Sequence, residues 1–353
     1  MKPFYVIQFG QPSIQLKKML GSAWTHHPDG VFRSTDPLPD LRHAKLLFAV
    51  QVNAWNLCPE LATFFMRLDP TAQSLAGSDA AILINSHSER YSRNFAVDII
   101  LRANEMGCRF MGRPVVEATK DLVNWKLMEK VQKKTRQEIC LDLSNKLVTR
   151  LIADSPIKKN HPSLLVLHAS NSKTSNTLRL WEMVKKNLPK AVKLQEIHID
   201  NGTVRDCIGC PYTTCKHFGE QNQCFYGGIM VEEIYPAILA ADAILWVCPN
   251  YNDALSANLT ATINRMTALF RAHSFYNKTL FGLVVSGNSG SECLQHQLIS
   301  ALNINKTFRL PPNFSLSATA NDKDAILERP NIEDRAKTYA QNLAQEIKSS
   351  WVD

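Results

Sequence analysis

The sequence predicts an α/β protein with doubly wound parallel sheets, arranged as two successive domains. The chain has 353 residues, which is too long for one small domain and suits two. Short apolar runs alternate with segments of helical periodicity, and this order is typical of parallel sheets covered by helices. Residues 154–162 contain two prolines and no apolar period. We therefore expect a linker there, between domains at residues 1–153 and 163–353.

The first domain is predicted to be a strand–helix–strand–helix unit. Residues 10–43 show no clear period and are expected to be mostly loop. Apolar runs predict strands at residues 4–9 (as an edge strand), 45–52, 80–84 and 109–119, and helical spacing predicts helices at residues 59–68, 92–105 and 121–153.

The second domain shows the same alternation, so the first is interpreted as a related or degenerate copy of it. Strands are expected at residues 164–168, 192–199, 243–248 and 279–285, with helices after residue 177, near residues 231–239 and 259–270, and at residues 332–351.

A polar loop at residues 169–177 separates a buried strand from the start of a helix. Free backbone N–H groups and the positive end of the helix dipole favour an anion at such a junction. The alternative is that Ser175, Asn176 or Thr177 simply caps the helix. The candidate phosphate-binding residues are Ser170, Lys173, Ser175, Asn176 and Thr177.

Four of the nine cysteines lie close together, at Cys207, Cys210, Cys215 and Cys224. Without a secretion signal, such a cluster favours a metal site over disulfides. Four thiolates can surround one [4Fe–4S] cluster or one zinc ion. Free thiols, or a redox pair formed by Cys207 and Cys210, remain alternatives.

Two further loops follow predicted strands, where an open α/β sheet binds its ligand. Tyr251 offers an aromatic face to a flat ring, and nearby backbone N–H groups can bind the polar edge of that ring. A glycine at 287 would let the backbone come close. The candidate ring-binding residues are Pro249, Asn250, Tyr251, Asn252, Ser286 and Gly287.

The polar loop at residues 169–177 and the loop that begins at Pro249 resemble those of the NADPH-dependent FMN reductase and iron-sulfur flavoprotein family. The resemblance covers roughly residues 163–300. The first loop matches at Ser170 and at residues 175–177. The second stretch matches at Pro249, Tyr251, Ser256, Leu259 and Arg265. Several family positions differ: Ala169 replaces Gly, Ser172 replaces Arg, Cys248 replaces Ser, Thr260 replaces Lys and Asn264 replaces Asp.

The resemblance implies a flavodoxin-like fold that binds FMN non-covalently and uses NAD(P)H as co-substrate. Electrons would pass to a small acceptor, a redox partner protein or an iron-sulfur cluster, and no side chain would act as general acid or base. The alternatives are a zinc-stabilised binding or scaffold protein that has lost flavin, and a thiol redox sensor.

Composition and charge exclude some of the remaining classes of function and location. The net charge is +8 and the basic residues are scattered, so nucleic-acid binding is not expected. No apolar run is long enough to span a bilayer and no signal peptide is evident, so we expect a cytoplasmic protein without a membrane partner. A homo-oligomer is possible.

Overall fold

The structure is a computed structural model that describes residues 2–69, 71–170 and 174–349. The chain forms two compact units, Met1–Ser155 and Pro156–Asp353. Within the described residues, no helix is both long and apolar enough to cross a membrane.

The first unit is a five-stranded parallel sheet with the strand order β2-β1-β3-β4-β5. Its elements are β1 (Phe4–Phe9), α1 (Ile14–Trp24), β2 (Gly30–Arg33), β3 (Lys45–Val52), α2 (Pro59–Met66), β4 (Asp79–Ser86), α3 (Ser92–Glu105), β5 (Arg109–Ala118), α4 (Lys126–Gln132) and α5 (Arg136–Ala153). Strands β3 and β4 are buried along their whole length, as expected for central strands of a parallel sheet.

The expectations for residues 4–43 were partly wrong. Strand β1 is not at the edge, because it pairs with β2 on one side and with β3 on the other. The stretch predicted as loop contains α1 and β2. A capping serine, Ser13, precedes α1, and its side chain accepts a hydrogen bond from the backbone of Leu16. Strand β2 is short and half exposed, so its sequence lacks a strong apolar signal.

The single helix predicted at residues 121–153 is also wrong, because the chain breaks it twice. A short 3₁₀ segment (Lys120–Trp125) precedes α4, and Lys133 ends α4 in a left-handed conformation with φ 54°. Thr135 then starts α5 with a capping box, in which its side chain and that of Glu138 bond to each other's backbone N–H.

The second unit is another five-stranded parallel sheet, with the order β10-β9-β8-β6-β7. Its elements are β6 (Ser163–His168), α6 (Asn176–Lys186), β7 (Lys193–His198), α7 (Tyr212–Glu220), α8 (Tyr235–Ala240), β8 (Ala243–Pro249), α9 (Ala257–Ala272), β9 (Thr279–Ser286), α10 (Ser291–Leu298), β10 (Ser315–Thr319) and α11 (Ile332–Ile347). The last helix is shorter than predicted, and residues 350–351 of that prediction lie outside the described residues.

Both sheets have the flavodoxin-like order, in which the second strand lies outside the first and the later strands continue on the other side. The predicted fold class is therefore confirmed. In the second unit, α6 and α11 cover one face of the sheet through a core that includes Leu180, Trp181 and Tyr339. The strand order reverses at β6, so a crevice is expected above the carboxyl ends of β6 and β8.

Candidate functional site

The loop between β6 and α6 lies at the reversal point of the second sheet. Ser175 caps α6, and its Oγ accepts a hydrogen bond from Leu178 N at 3.2 Å. The first N–H groups of a helix have no acceptor within the helix, so those of Asn176 and Thr177 remain available. Lys173, a predicted phosphate ligand, lies outside the described residues.

Ser170 carries the clearest sign of a missing partner. Its side chain is 1% exposed, and its Oγ has no hydrogen-bond partner within the described part of the chain. Burying a hydroxyl without a partner is costly, and a bound ligand commonly satisfies such a group. Thr177, also buried, follows in the first turn of α6.

Asn176 has a structural role that the sequence did not reveal. Its side-chain nitrogen donates to the carbonyl oxygens of Ala320 and Asp322, at 3.2 and 2.8 Å, and its oxygen accepts from Ile326 N at 3.3 Å. The side chain thus joins the start of α6 to the loop after β10. Only its backbone N–H is left for a phosphate.

The loop after β8 is a tight turn that presents Tyr251 to solvent. Tyr251 and Ala254 exchange two backbone hydrogen bonds, and Asn252 and Asp253 have φ of 55° and 56°. Two successive positive φ values at the centre of a turn are those of type I′. The Tyr251 side chain is 54% exposed, so its ring face is accessible.

Asn250 fastens this turn to the loop after β9. Its Nδ2 lies 3.0 Å from Ser286 Oγ and 3.3 Å from Ser289 O, while its Oδ1 accepts from Asp253 N at 2.8 Å. The Ser286 hydroxyl also contacts Ser291 Oγ, at 2.8 Å. The side chains of Asn250 and Ser286 therefore build the site. The N–H groups of Asn252 and Gly287 donate no hydrogen bond within the described residues and remain available to a ligand.

Two histidines stack at the carboxyl ends of β6 and β7. The rings of His168 and His198 are nearly parallel, with centroids 4.7 Å apart. Burial, reinforced by the nearby His198, lowers the pKa of His168 to about 4. His168 is therefore neutral at physiological pH, directly before the phosphate-loop candidates.

The described residues do not gather the four cysteines into a metal site. All four cysteines are described, yet no three His, Cys, Asp or Glu side chains of the described residues are gathered so that they could hold a metal ion. Within the described residues, these side chains are therefore not arranged as the four thiolate ligands of a [4Fe–4S] cluster or a zinc ion.

The same segment is held instead by contacts with α9. A side chain at Gly219 would collide with the backbone of Ala268, so α7 packs directly on α9. The Arg271 guanidinium lies 4.7 Å from the centre of the Tyr212 ring, in a cation–π contact. Arg265, 3% exposed, donates to the carbonyl oxygen of Gly227 at 2.7 Å.

In the first unit, the position equivalent to the phosphate loop is filled by the protein's own side chains. The backbone N–H of Ser13 donates to Gln51 Oε1 at 3.0 Å, and the Ser13 hydroxyl donates to Asn85 Oδ1 at 2.8 Å. A side chain at Gly10 would lie only 2.7 Å from the carbonyl oxygen of Gln51. The side-chain amides of Gln51 and Asn85 thus accept hydrogen bonds from the two donors of Ser13 that a phosphate would need.

A comparison with protein-family models identifies the second unit. Residues 162–322 match the model of the NADPH-dependent FMN reductase family. This match confirms the family resemblance that the two loops predict for this part of the chain. The match spans both candidate loops and includes β6 to β10, so the similarity concerns the second unit rather than the whole chain. No curated protein sequence matches the chain.

Several solved structures are each similar to about half of this chain at low identity. Smu.1420 from Streptococcus mutans UA159 is 13% identical with a TM-score of 0.40, over 51% of this chain and 99% of its own. An NAD(P)H:quinone oxidoreductase from Methanothermobacter marburgensis is 14% identical with a TM-score of 0.39, over 52% and 96%. An FMN-dependent NADH-azoreductase from Bacillus anthracis str. Ames Ancestor, in complex with FMN, is 12% identical with a TM-score of 0.33, over 52% and 99%.

Proposed function

We propose that the chain is an NAD(P)H-dependent oxidoreductase whose second unit binds FMN above the carboxyl ends of β6 and β8. The observation that carries this proposal is the buried Ser170 hydroxyl, which has no partner in the described chain and lies in the loop before α6. The match to the FMN reductase family model supports FMN as the ligand that would satisfy this hydroxyl.

The phosphate of FMN would be held by hydroxyls and by the start of α6. Ser170 and Thr177 would donate hydrogen bonds from their side chains. The N–H groups of Asn176 and Thr177, at the positive end of the helix dipole, would complete the set. Ser175 would act mainly as the cap that fixes this helix end. Lys173 stays a prediction, as the residue that would add positive charge.

The flavin ring would lie against the turn after β8. Tyr251 offers its exposed face to the ring, and the N–H groups of Asn252 and Gly287 can donate to its polar edge. Pro249 ends β8 and starts the turn. Asn250 and Ser286 would act indirectly, by joining the two loops.

When bound, FMN supplies the redox chemistry, taking two electrons from NAD(P)H and passing them to an acceptor. The residues of the chain bind and orient the cofactor, and the buried ends of β6 and β8 exclude water beneath it. We propose a small molecule or a redox partner protein as acceptor. No electron path through the cysteines is proposed, because their arrangement does not fit a cluster.

The test uses the full-length, flavin-free chain. We expect it to quench the fluorescence of added FMN saturably, and the loaded protein to oxidise NADH or NADPH with a small quinone as acceptor. Iron and zinc are quantified alongside. Failure to bind FMN would overturn the proposal, whereas binding without NAD(P)H oxidation would reduce it to a flavin-binding protein.

A further inference from the structure

Gln297, on α10, joins both sides of the turn that presents Tyr251. Its Oε1 accepts the N–H of Leu255 at 3.1 Å, and its Nε2 donates to the carbonyl oxygen of Asp253 at 3.0 Å. A single side-chain amide thus satisfies one donor and one acceptor of the same turn. Within the described residues, no other hydrogen bond of these two backbone groups connects the turn to α10.

The other contacts of the turn come from a different side. Asn250 joins it to the loop after β9, and the Asp253 carboxylate occupies the space where a side chain at position 290 would be. Gly290 has φ 84°, in the region that favours glycine. The turn is therefore anchored at its start by Asn250 and at its end by Gln297.

We propose that Gln297 is a positioning residue for the flavin ring. This inference rests on the proposed function, and it adds a residue that does not contact the cofactor. By holding Asp253 and Leu255, Gln297 fixes the type I′ turn before FMN arrives, so that the Tyr251 ring and the Asn252 N–H are already in place. An ordered loop loses less conformational entropy on binding, and affinity rises accordingly.

The chain offers a matched control on the same helix. Gln295 is 4% exposed, and its Nε2 donates to Ser315 Oγ at 2.7 Å, which ties α10 to β10 rather than to the turn. Gln295→Met and Gln297→Met each replace an amide by a side chain of similar length without its hydrogen bonds. Both changes remove side-chain hydrogen bonds of α10 and keep a side chain of similar size, but only Gln297→Met removes the bonds to the turn.

The first readout needs no flavin. In the flavin-free full chain, we expect the amide of Leu255 to exchange with solvent markedly faster in Gln297→Met than in the wild type, by about tenfold or more. Gln295→Met should leave that exchange unchanged. Equal exchange in the wild type and Gln297→Met would overturn the inference, whatever the chain binds.

The second readout compares FMN with riboflavin, which lacks the phosphate. Gln297→Met should weaken binding of both by a similar factor of about ten, because the loss concerns the ring and not the phosphate. Gln295→Met should bind both like the wild type. Equal weakening by the two variants would show a general effect of α10 and overturn the positioning role. A wild-type chain that binds neither flavin would overturn the proposed function, and the inference with it.

Discussion

The Asn176 side chain donates a 2.8 Å hydrogen bond to the carbonyl oxygen of Asp322, joining the first turn of α6 to the loop after β10. Asn176 belongs to the segment whose sequence indicated phosphate binding. Its side-chain amide is instead used within the protein. In the proposed FMN site, the phosphate contacts would therefore be made by the hydroxyls of Ser170 and Thr177 and by the helix N–H groups.

Asn176→Ala should therefore destabilise the second unit. The change leaves the buried Ala320 carbonyl and the Ile326 N–H without their partner, at a cost of about 2–3 kcal/mol in the free energy of unfolding. Urea denaturation measures it. Asn187→Ala, which removes a half-buried bond to Met183 O, should cost less than half as much. A stability equal to that of the wild type would contradict the anchoring role.

His168 should make the second unit less stable in mild acid. Its pKa is lowered to about 4 from the ordinary 6.5, chiefly by burial, so between these pH values the unfolded chain binds a proton that the folded chain does not. The contribution of His168 to the free energy of unfolding is thus fully present above pH 6.5. It falls by roughly 2–3 kcal/mol as the pH drops to about 4.

The replacement His168→Phe keeps a ring beside His198 and removes the titration. Its stability should depend less on pH over that interval than that of the wild type. NMR titration of the imidazole gives the pKa of His168 directly. A value near 6.5 would contradict the buried, neutral state.

The cysteines should differ sharply in their reaction with a maleimide at pH 7.5. Cys207 is exposed and should be labelled first. Burial raises the pKa of Cys58 to about 12, with a further contribution from Glu60, and burial raises that of Cys140 to about 11. Because the thiolate is the nucleophile, both should react only after unfolding. Mass spectrometry of the labelled peptides checks this order, and rapid labelling of Cys58 in the folded chain would contradict it.

A chelator should not change the melting temperature of the chain. The cysteine segment is held to α9 by Gly219, Arg265 and Arg271, so its fold needs no metal. Thermal unfolding with and without EDTA and a stronger zinc chelator provides the test. A fall of several degrees on chelation, together with stoichiometric zinc or iron in the untreated protein, would show that the cysteines do hold a metal.

Saturation should occur at about one FMN per chain, because within the described residues the groups of the proposed phosphate site are free only at the reversal point of the second sheet. In the first unit, Gln51 and Asn85 already bond to Ser13 where the phosphate would bind. Flavin released from the saturated protein by heat is quantified against the chain concentration. A content near two per chain would show that these amides give way to a ligand.

The sequence predicted the fold class because buried strands and amphipathic helices leave strong local patterns. Segments 92–105 and 45–52 coincide with α3 and β3. It failed where the deciding contacts are distant in sequence. No residue near β1 indicates that β2 pairs on its outer side. The break at Lys133 depends on a left-handed backbone conformation that a lysine does not predict.

The candidate site divides in the same way. Local motifs identified the loop containing Ser170 and the turn containing Tyr251, because each directly follows a strand. The role of Asn176 depends on a loop almost 150 residues later, and that of Gln297 on a turn more than 40 residues earlier. The cysteine spacing predicted four metal ligands, but the described residues do not gather three such side chains at one place. Spacing alone does not specify where the fold directs each side chain.

The most direct test of FMN binding in the second unit is a fluorescence titration of FMN with the flavin-free full chain, its Ser170→Ala variant and a Ser317→Ala control. Ser317 lies on β10 of the same sheet and is half-buried. We expect saturable binding by the wild type and by Ser317→Ala, and binding about tenfold weaker by Ser170→Ala, which loses one hydrogen bond to the phosphate. Equal affinity in all three proteins would contradict the role of Ser170, and no binding by the wild type would contradict the flavin site itself.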